Sequence, residues 1–403
     1  MSVNPAMHLA HVIHRYPPAR GGAESYFHRL TAAHRNRGDD VTVLTTTALK
    51  LRDFRSNHTY TFDDPPHVHR FRPISFPLRR YVLKALSLIP HRPWQLAAMP
   101  SSPTCPAMWR AVQHHAAPLD AVHATALPYG FPLLCAWALA KRRRVPLLLT
   151  PFLHFGNLGD VQDRTRRQYT RPELVWLMKR ADHLFVQTEA ERDVLVKLGL
   201  SDTRMTLQGL GVEPGECTGG DRAAARARWG VMNNTFVVGH LANLSVEKGS
   251  LDLLSALEGV PNITAVLAGP QMPNFRAAAT ATPVLLGELT DVQKRDFYAG
   301  IDAFCLPSMT DSYGLVLLEA WANAKPVVVY RAGGPGELVR HGVDGLIAPA
   351  HDFVTLRMQL QLLADDRAMA SQLGEAGRQR VLEEHIWSDK LNIVFDVLNG
   401  LTR

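Results

Sequence analysis

The sequence is poor in the residues that mark secreted or zinc-binding proteins. It has four cysteines in 403 residues, at positions 105, 135, 217 and 305, with no C-x-x-C pair and no zinc-ligand spacing. This pattern predicts a reducing compartment and no structural disulfides. The N-terminus also lacks a charged region followed by an apolar one, so we expect no export signal and a cytoplasmic protein.

Charge is absent between residues 121 and 140, where no Asp, Glu, Lys or Arg occurs. An apolar run of this length could span a membrane. However, Pro128, Gly130 and Pro132 interrupt it, and such residues break a continuous helix. We therefore predict a buried strand, a loop and a buried helix here.

Acidic residues are absent between residues 65 and 119, which we call the basic segment. It holds seven Arg and Lys together with several aromatic residues. We predict a short amphipathic helix at 81–89, with a basic patch of Arg79, Arg80 and Lys84. Basic residues interleaved with aromatics are typical of proteins that contact anionic membranes. The alternative is a solvated segment covering the core. No nucleic-acid partner is expected, because no nucleic-acid motif accompanies the charge.

The remaining composition, 46% apolar and 20% charged, is typical of a soluble globular protein. A chain of this length exceeds one ordinary core and suggests two domains. Residues 1–208 carry 28 Lys and Arg against 15 Asp and Glu, whereas residues 209–403 carry 16 against 22. The two halves are therefore expected to differ in chemistry.

One stretch combines several signals of a phosphate site. An apolar run at 301–306 ended by proline predicts a buried parallel strand, turn residues follow at 307–313, and Gly314 opens a helical run. This order directs free backbone N–H groups and a positive dipole end at a phosphate. Asp311 and Glu319 bracket the loop, and carboxylates accept paired hydrogen bonds from vicinal hydroxyls. A nucleotide-sugar site is favoured. The alternative is a helix capped by Asp311, with Glu319 merely solvated.

The same stretch resembles the signature of retaining GT-B glycosyltransferases of family 4, which reads Glu-x-Phe-Gly-Leu-x-x-x-Glu. The corresponding residues are Asp311-Ser312-Tyr313-Gly314-Leu315-Val316-Leu317-Leu318-Glu319. The first acid is shorter by one methylene than the family's glutamate. The resemblance implies that Glu319 holds the donor's ribose hydroxyls and that Asp311 holds its sugar hydroxyls. It implies donor contacts also for Ser312, Tyr313, Gly314, Leu315 and Val316.

Further motifs extend the resemblance over nearly the whole chain. Gly21 and Gly22 match a Gly-Gly-x-Glu loop whose backbone can approach a phosphate closely. The βαβ opening around them lacks G-x-G-x-x-G, so a nicotinamide site is not indicated. His154 follows a predicted strand at 145–150, and the resemblance implies that it reaches the donor sugar.

Residues 238–249 resemble the motif V-G-R-L-x-x-x-K-G, whose Arg and Lys neutralise the departing diphosphate. Lys248 matches the lysine, whereas His240 stands at the arginine position and the loop between them is longer. His240 and Asn243 are therefore expected to take part in donor binding beside Lys248.

The resemblance implies an α/β fold of GT-B architecture, with two Rossmann-like domains facing each other across a cleft. We expect an acceptor domain at 1–208, a linker at 209–234 and a donor domain at 235–385, with a closing helix at 386–403 that packs back on the first domain.

The implied activity is the transfer of a hexosyl group from a UDP- or GDP-linked sugar, with retention of configuration. The expected acceptor is a glycan, a polysaccharide or a lipid-linked molecule. The expected catalytic residues are His154, Lys248, Asp311 and Glu319. No Asp-x-Asp metal signature occurs. We therefore expect neither a metal nor a cofactor, since the nucleotide sugar is a substrate.

Two other classes of function stay open. A GT-B-fold epimerase would use the same donor site with additional acids beside it. A catalytically silent nucleotide-sugar-binding protein is favoured by the two departures at Asp311 and His240. Release of nucleoside diphosphate in the presence of an acceptor would separate the three.

Overall fold

The computed structural model describes residues 6–56, 60–125, 127–157, 160, 162–232, 234–276 and 283–402. They group into two compact units. Unit 1 consists of Met1–Leu153, Arg167–Gln208 and Leu391–Arg403, and unit 2 consists of His154–Arg166 and Gly209–Lys390. The chain thus passes between the units after Gln208. The short stretch that begins with His154 belongs to unit 2, although it precedes that point in sequence.

Unit 1 is built on a parallel sheet, whose described strands number seven. Its strands and helices are β1 (His8–Val12), α1 (Gly22–Asn36), β2 (Asp40–Thr46), β3 (Val68–Phe71), α2 (Arg79–Leu86), α3 (Arg92–Ala97), α4 (Pro106–Gln113), β4 (Ala121–Ala124), α5 (Gly130–Arg143), β5 (Leu147–Leu149), α6 (Arg164–Tyr169), α7 (Pro172–Met178), β6 (His183–Val186), α8 (Glu189–Lys197) and β7 (Met205–Leu207). The strand order is β3-β2-β1-β4-β5-β6-β7. Short apolar strands suit such a sheet because helices cover both of its faces.

The charge-free stretch at 121–140 forms the buried strand β4 and the start of the buried helix α5, which confirms the prediction for it. Among the described residues, no helix is both long and apolar enough to span a membrane. All four cysteines are buried and free.

Unit 2 repeats this plan with a sheet of six described parallel strands. Its elements are α9 (Pro214–Cys217), α10 (Arg222–Trp229), β8 (Phe236–Leu241), α11 (Ser250–Leu257), β9 (Ile263–Ala268), β10 (Val284–Leu285), α12 (Asp291–Gly300), β11 (Ala303–Leu306), α13 (Leu315–Ala322), β12 (Val327–Tyr330), α14 (Gly333–Leu338), β13 (Gly345–Ala348), α15 (Phe353–Asp365) and α16 (Arg367–Glu384). The last helix, α17 (Trp387–Leu401), begins in unit 2 and belongs to unit 1 from Leu391 onward. The strand order is β10-β9-β8-β11-β12-β13. Strand β11, which precedes the candidate site, pairs with β8 and β12 near the middle of the sheet.

The segment at 209–234 is not the simple linker that we predicted. It carries α9 and α10, and it belongs to unit 2. The guanidinium of Arg226 is buried, donates to the carbonyl of Gly300 at 2.9 Å and pairs with Asp302 at 2.5 Å. Since a buried charge is stable only when it is paired and hydrogen-bonded, these contacts fix α10 against the unit 2 core.

The basic segment is folded rather than a loop, and one prediction for it is wrong. Arg79 is not part of an exposed patch. Its buried guanidinium donates to the carbonyls of Pro100 and Ser102 at 3.1 and 2.5 Å and to the hydroxyl of Thr104 at 3.0 Å. Burial also lowers the pKa of Arg79 below its usual range. Arg79 therefore stabilises the basic segment through buried hydrogen bonds to other residues of the same segment.

The outer face of the basic segment is both basic and apolar. Arg80, Lys84 and Arg92 are exposed on α2 and α3. The large apolar side chains around them that are most exposed are Leu78 (71%), Tyr81 (70%), Leu88 (77%) and Trp94 (52%). We call these seven residues the outer face.

Candidate functional site

The site is organised by the loop between β11 and α13. The strand β11 is fully buried, and α13 begins after Gly314, which has a φ of 92° in the left-handed region that suits glycine. The first N–H groups of a helix have no partner within it. Those of α13 therefore point, with the positive end of its dipole, toward the loop. The helix is capped by Gly314 rather than by Asp311, so the capping alternative for Asp311 is wrong.

Asp311 is paired with the lysine that lies 63 positions before it in the sequence. Its carboxylate lies 2.8 Å from Nζ of Lys248, and both side chains are about one-fifth exposed. Burial raises the pKa of Asp311, but Lys248 and a hydrogen bond from Ser308 outweigh it and hold the pKa below its usual range. The two predicted catalytic residues are therefore brought together in opposite charge states, and both remain open to a ligand.

A glycine allows Lys248 to lie so close to this loop. Gly249 has a φ of 69°, and a side chain there would collide with the carbonyl of Pro307. Glu247, which precedes Lys248, is also bonded to this loop, because its carbonyl accepts a hydrogen bond from the N–H of Met309 at 2.9 Å. The Lys-Gly pair of the sequence motif is thus a close backbone contact as well as a charge.

His154 lies in the same neighbourhood, in the part of the chain assigned to unit 2. Burial, helped by the positive charge of Lys248, lowers the pKa of His154 to about 4, while Asp311 opposes the shift. The imidazole is therefore neutral at physiological pH. Its loop is held in place by Gly333, whose N–H donates to the carbonyl of Gly156 at 3.2 Å.

The start of α14 contacts the loop between β11 and α13 as well. Gly334 donates its N–H to the carbonyl of Asp311 at 3.0 Å. A side chain on Gly333 or Gly334 would collide with the carbonyl of Asp311 or Ser312. The glycine pair thus lets the loop containing Asp311 and the loop containing His154 pack against one helix start.

Glu319, on α13, is held by two residues that the sequence analysis missed. Lys294 Nζ lies 2.7 Å from Oε1 of Glu319, and the Tyr298 hydroxyl donates to Oε2 at 2.8 Å. Burial lowers the pKa of Lys294, but the carboxylate outweighs it and the pKa is raised. The available signal was the i, i+4 spacing of Lys294 and Tyr298 on α12, which places both on one helix face.

His240 does not take the place of an arginine at this site. It is fully buried, with Nδ1 at 2.9 Å from the carbonyl oxygen of Cys305 and Nε2 at 2.9 Å from Oγ of Ser250. Burial lowers its pKa to about 4, so the ring is neutral. Because both nitrogens are used inside the fold, His240 has nothing left to offer a diphosphate, and the prediction that it binds donor is wrong.

Asn243 is exposed and lines an open cavity of about 330 Å³. Lys248 and Thr310 also line this cavity, together with Met272 and Asn274. The long loop that sets this sequence apart therefore ends at an open cavity, which Lys248 of the Lys248–Asp311 pair also lines.

Gly21 and Gly22 belong to unit 1 and are exposed at the start of α1. Beneath them Glu24 is buried, with its carboxylate 2.6 Å from Nη2 of Arg15 and 3.4 Å from Nε2 of His14. A side chain on Gly21 would collide with that carboxylate. In the described part of the chain, no three His, Cys, Asp or Glu side chains are grouped so that they could hold a metal ion.

Known proteins resemble this chain in sequence and in fold. The family model "Glycosyl transferases group 1" matches residues 221–380, and the model "Glycosyl transferase 4-like domain" matches residues 21–211. Among curated proteins, the chain is 31% identical over 235 residues to the D-inositol 3-phosphate glycosyltransferase of Mycolicibacterium gilvum, covering 54% of this chain and 52% of that protein. It is 34% identical over 185 residues to that of Mycobacterium sp. (strain KMS), covering 43% and 42%. The chain spans about half the length of the curated relatives it matches.

Among solved structures, HepE of Anabaena in complex with UDP and glucose superposes with a TM-score of 0.71, at 21% identity over 98% of this chain and 100% of that one. The sucrose-phosphate synthase of Thermosynechococcus elongatus also gives a TM-score of 0.71, at 18% identity over 98% and 99%. At these identities the two superpositions establish the fold, two parallel-sheet α/β units as in GT-B structures.

Proposed function

Because the chain belongs to glycosyltransferase family 4 of the GT-B fold, we propose that it transfers a sugar from a nucleotide-sugar donor to an acceptor. The observation that carries the proposal is the pairing of two acids with two lysines at the two sides of one loop and helix start. Lys248 meets Asp311 at one side, and Lys294 meets Glu319 at the other. A nucleoside diphosphate sugar has hydroxyls at both ends and negative charge between them, and this charge arrangement is complementary to it.

In the proposed complex, Glu319 accepts hydrogen bonds from the ribose hydroxyls. Lys294 and Tyr298 leave lone pairs on its two oxygens for that purpose, because each carboxylate oxygen has more than one acceptor site. Asp311 and the neutral His154 hold the sugar. The N–H groups that begin α13, at Leu315 and Val316, face the diphosphate, beside donor contacts from Ser312 and Gly314.

Charge on the leaving diphosphate is balanced without a metal in this proposal. Lys248 supplies one positive charge, and the start of α13 supplies oriented N–H groups and a helix dipole. Lys248 is bonded to Asp311, so it is held near the place where the leaving group forms.

The donor is proposed to carry UDP or GDP, and the reaction to retain the anomeric configuration. UDP is the first nucleotide to test, since the Anabaena fold neighbour was crystallised with UDP and glucose. Retention is proposed to proceed with attack from the face of the leaving group. The two carboxylates among the expected site residues, Asp311 and Glu319, are both assigned to hydroxyl groups of the donor. Neither is therefore left to serve as a covalent nucleophile.

The acceptor is proposed to be a glycan or a lipid-linked molecule at an anionic membrane. The outer face of the basic segment supports this, since it places Arg80, Lys84 and Arg92 among exposed aromatic and aliphatic side chains. Such side chains insert at the interface of a bilayer while the cations meet anionic headgroups, at about 1 kcal/mol each. Its charge complementarity to anionic lipid favours a membrane over an uncharged partner.

A nucleotide screen tests the proposal most directly. The protein is melted with UDP, GDP and their hexose conjugates, each at about 100 times an assumed Kd, where binding to one site stabilises by roughly 2.7 kcal/mol. We expect one base to raise Tm and its sugar conjugate to release nucleoside diphosphate when an acceptor is present. Stabilisation without release under any acceptor would instead identify a binding protein. No stabilisation by any nucleotide would contradict the proposal.

A further inference from the structure

One hydroxyl group links the loop between β11 and α13 to the two places where the chain enters and leaves unit 2. The hydroxyl belongs to Tyr313, which lies between Asp311 and Gly314 and is 4% exposed. Its oxygen is 3.1 Å from Nδ1 of His385, also buried, at the end of α16. In the family pattern this position is phenylalanine, so the hydroxyl is an addition of this sequence.

The backbone of Leu210 completes the contact. Burial raises the pKa of Tyr313, and a hydrogen bond with the Leu210 backbone works against that shift. A tyrosine hydroxyl has one proton to donate and can accept others. The Tyr313 oxygen and Nδ1 of His385 therefore share one hydrogen bond, in which either group can be the donor. The imidazole is also hydrogen-bonded to the Leu210 backbone, and its Nε2 lies 3.7 Å from Glu384.

The two segments that meet at this hydroxyl are also bonded to each other. The N–H of Val212 donates to the carbonyl of His385 at 2.8 Å, and Val212 forms a parallel bridge with Ile386. Gly209 has a φ of 67°, and a Cβ atom there would lie 2.9 Å from the hydroxyl oxygen of Tyr313. Unit 2 begins at Gly209 and ends at Lys390, so these are the entry and exit segments of the unit.

We propose that His385 is a positioning residue for nucleotide-sugar binding, acting through the Tyr313 hydroxyl to fix the turn that carries Asp311 and leads to the N–H groups of α13. The inference rests on the proposed function for its ligand, but the positioning itself is a property of the ligand-free protein. Without the hydroxyl, the turn keeps its contact with Gly334 and loses its link to both crossing segments. The ordered turn is the binding-competent one, so loosening it lowers affinity for the diphosphate.

Three variants test the positioning before any ligand is added. Tyr313→Phe removes only the hydroxyl. His385→Leu removes its partner. His385→Asn keeps a hydrogen-bonding group, because the side-chain amide of Asn, which can donate and accept, lies close to where Nδ1 of His was. Hydrogen exchange is measured on peptides covering 309–316, 209–213 and 385–390. We expect faster exchange in all three peptides for Tyr313→Phe and His385→Leu, and near-native exchange for His385→Asn.

Binding of UDP and GDP is then titrated with the same variants. For the nucleotide that binds wild type, we expect Tyr313→Phe and His385→Leu to weaken binding about tenfold each, the cost of leaving a buried polar group unsatisfied. Since the two act as one unit, the double variant should be no more than about twofold worse than either single one. His351→Leu, at an exposed histidine of the same unit, is the matched control and should bind as wild type does.

The outcomes separate the inference from the proposed function. Unchanged exchange in the Phe and Leu variants, or additive losses in the double variant, would overturn the positioning role even if wild type binds UDP tightly. Changed exchange that Asn restores supports the role even if wild type binds neither nucleotide, and that second result would count against the proposed function alone. Thermal melts of every variant show that the compared proteins are folded.

Discussion

The candidate site of unit 2 and the basic segment of unit 1 place their charge in opposite ways. In unit 2 four acids are met by cations within the fold: Asp302 by Arg226, Asp344 by Arg380, and the two site acids by lysines. In unit 1 the basic segment has no acidic residue of its own, and its outer cations are exposed. The difference shows that net charge alone is a poor guide to a site. Unit 2 carries the charges proposed for chemistry although it is the acidic half, because they are paired and positioned. Unit 1 leaves charge at a surface, where it suits a large anionic partner.

The largest expected effect comes from the two site acids, and it would sharpen the comparison within unit 2 itself. Asp311→Asn should lower kcat about ten- to a hundredfold, with little change in nucleoside diphosphate binding. Glu319→Gln should weaken that binding by a similar factor, because its proposed target is the ribose. A hydrogen bond to a charged group is worth roughly 1.5–3 kcal/mol. Steady-state kinetics and UDP titration measure the two effects separately.

The control for these variants is Asp365→Asn, an exposed acid at the end of α15. It should leave both kcat and nucleotide affinity unchanged. Equal and small effects of Asp311→Asn and Glu319→Gln would remove the support for the two assigned roles.

The next effect concerns the surface of unit 1. Wild type should cosediment with vesicles that contain anionic lipid and not with zwitterionic ones, and added salt should release it. Changing Arg80, Lys84 and Arg92 to glutamate should abolish cosedimentation. The matched control changes three exposed cations elsewhere in unit 1, Arg142, Lys179 and Lys197, by the same total charge.

If the control variant loses cosedimentation as completely as the glutamate variant of the outer face, net charge rather than the outer face is responsible for membrane binding. If wild type ignores anionic vesicles even at low salt, the proposed acceptor is a soluble molecule instead. Arg79 is left unchanged in both variants, because its buried hydrogen bonds make any loss there a matter of folding.

A smaller effect is expected from acid, and it compares the two cores. The unit 1 core holds His11, His34 and His123 with ring centroids of His11 at 5.7 Å from His34 and 5.9 Å from His123. Burial lowers the pKa of each, that of His123 to about 3. The unfolded chain therefore binds more protons below about pH 6.5, so stability falls as pH drops from there toward the folded pKa. The loss is about 1.4 kcal/mol per pH unit for each such histidine.

Among the described residues, eight histidines of unit 1 have a lowered pKa: His11, His14, His28, His34, His67, His115, His123 and His183. Unit 2 has three, His154, His240 and His385. Unit 1 should consequently lose hydrogen-exchange protection at a higher pH than unit 2. His123→Gln keeps a partner for Thr150, which bonds Nε2 at 2.8 Å, and should flatten the pH dependence of unit 1. His114→Gln, at an exposed position, should not. If unit 2 loses hydrogen-exchange protection at a higher pH than unit 1, this prediction is wrong.

The smallest effect, none at all, is expected from removal of metal. If Lys248 and the start of α13 balance the leaving diphosphate, excess EDTA should leave the rate unchanged. Loss of activity that Mg²⁺ or Mn²⁺ restores would show that the paired charges of unit 2 are insufficient, and that a cation completes the site.

Much of this molecule could be predicted from local patterns. The strand, loop and helix around Gly314 were predictable because an apolar run, turn residues and a glycine each restrict the backbone within a few residues. The same holds for the strand and helix of the charge-free stretch at 121–140. Motif spacing also indicated which lysine and which acids to consider, since the loops after neighbouring parallel strands meet at one edge of a sheet.

Other predictions failed because a polar side chain has the same identity whether it faces a ligand or the protein's own backbone. His240 and Arg79 were chosen by position and charge, and each is satisfied by buried carbonyls that no sequence pattern marks. The segment at 209–234 looked like a linker because it is rich in glycine and proline. Its helix α10 is held by Arg226 through contacts more than 70 positions away in the sequence.

The sequence by itself determined the order of the elements, the family pattern and the candidates for chemistry, because these depend on interactions between near neighbours in the chain. The tertiary structure decided which charges meet: Lys248 with Asp311, and Lys294 with Glu319. It also decided that the Tyr313 hydroxyl reaches His385, 72 positions away. Such pairings depend on how strands and helices are arranged in space. A hydrogen bond between distant residues leaves no trace in the local pattern of either one.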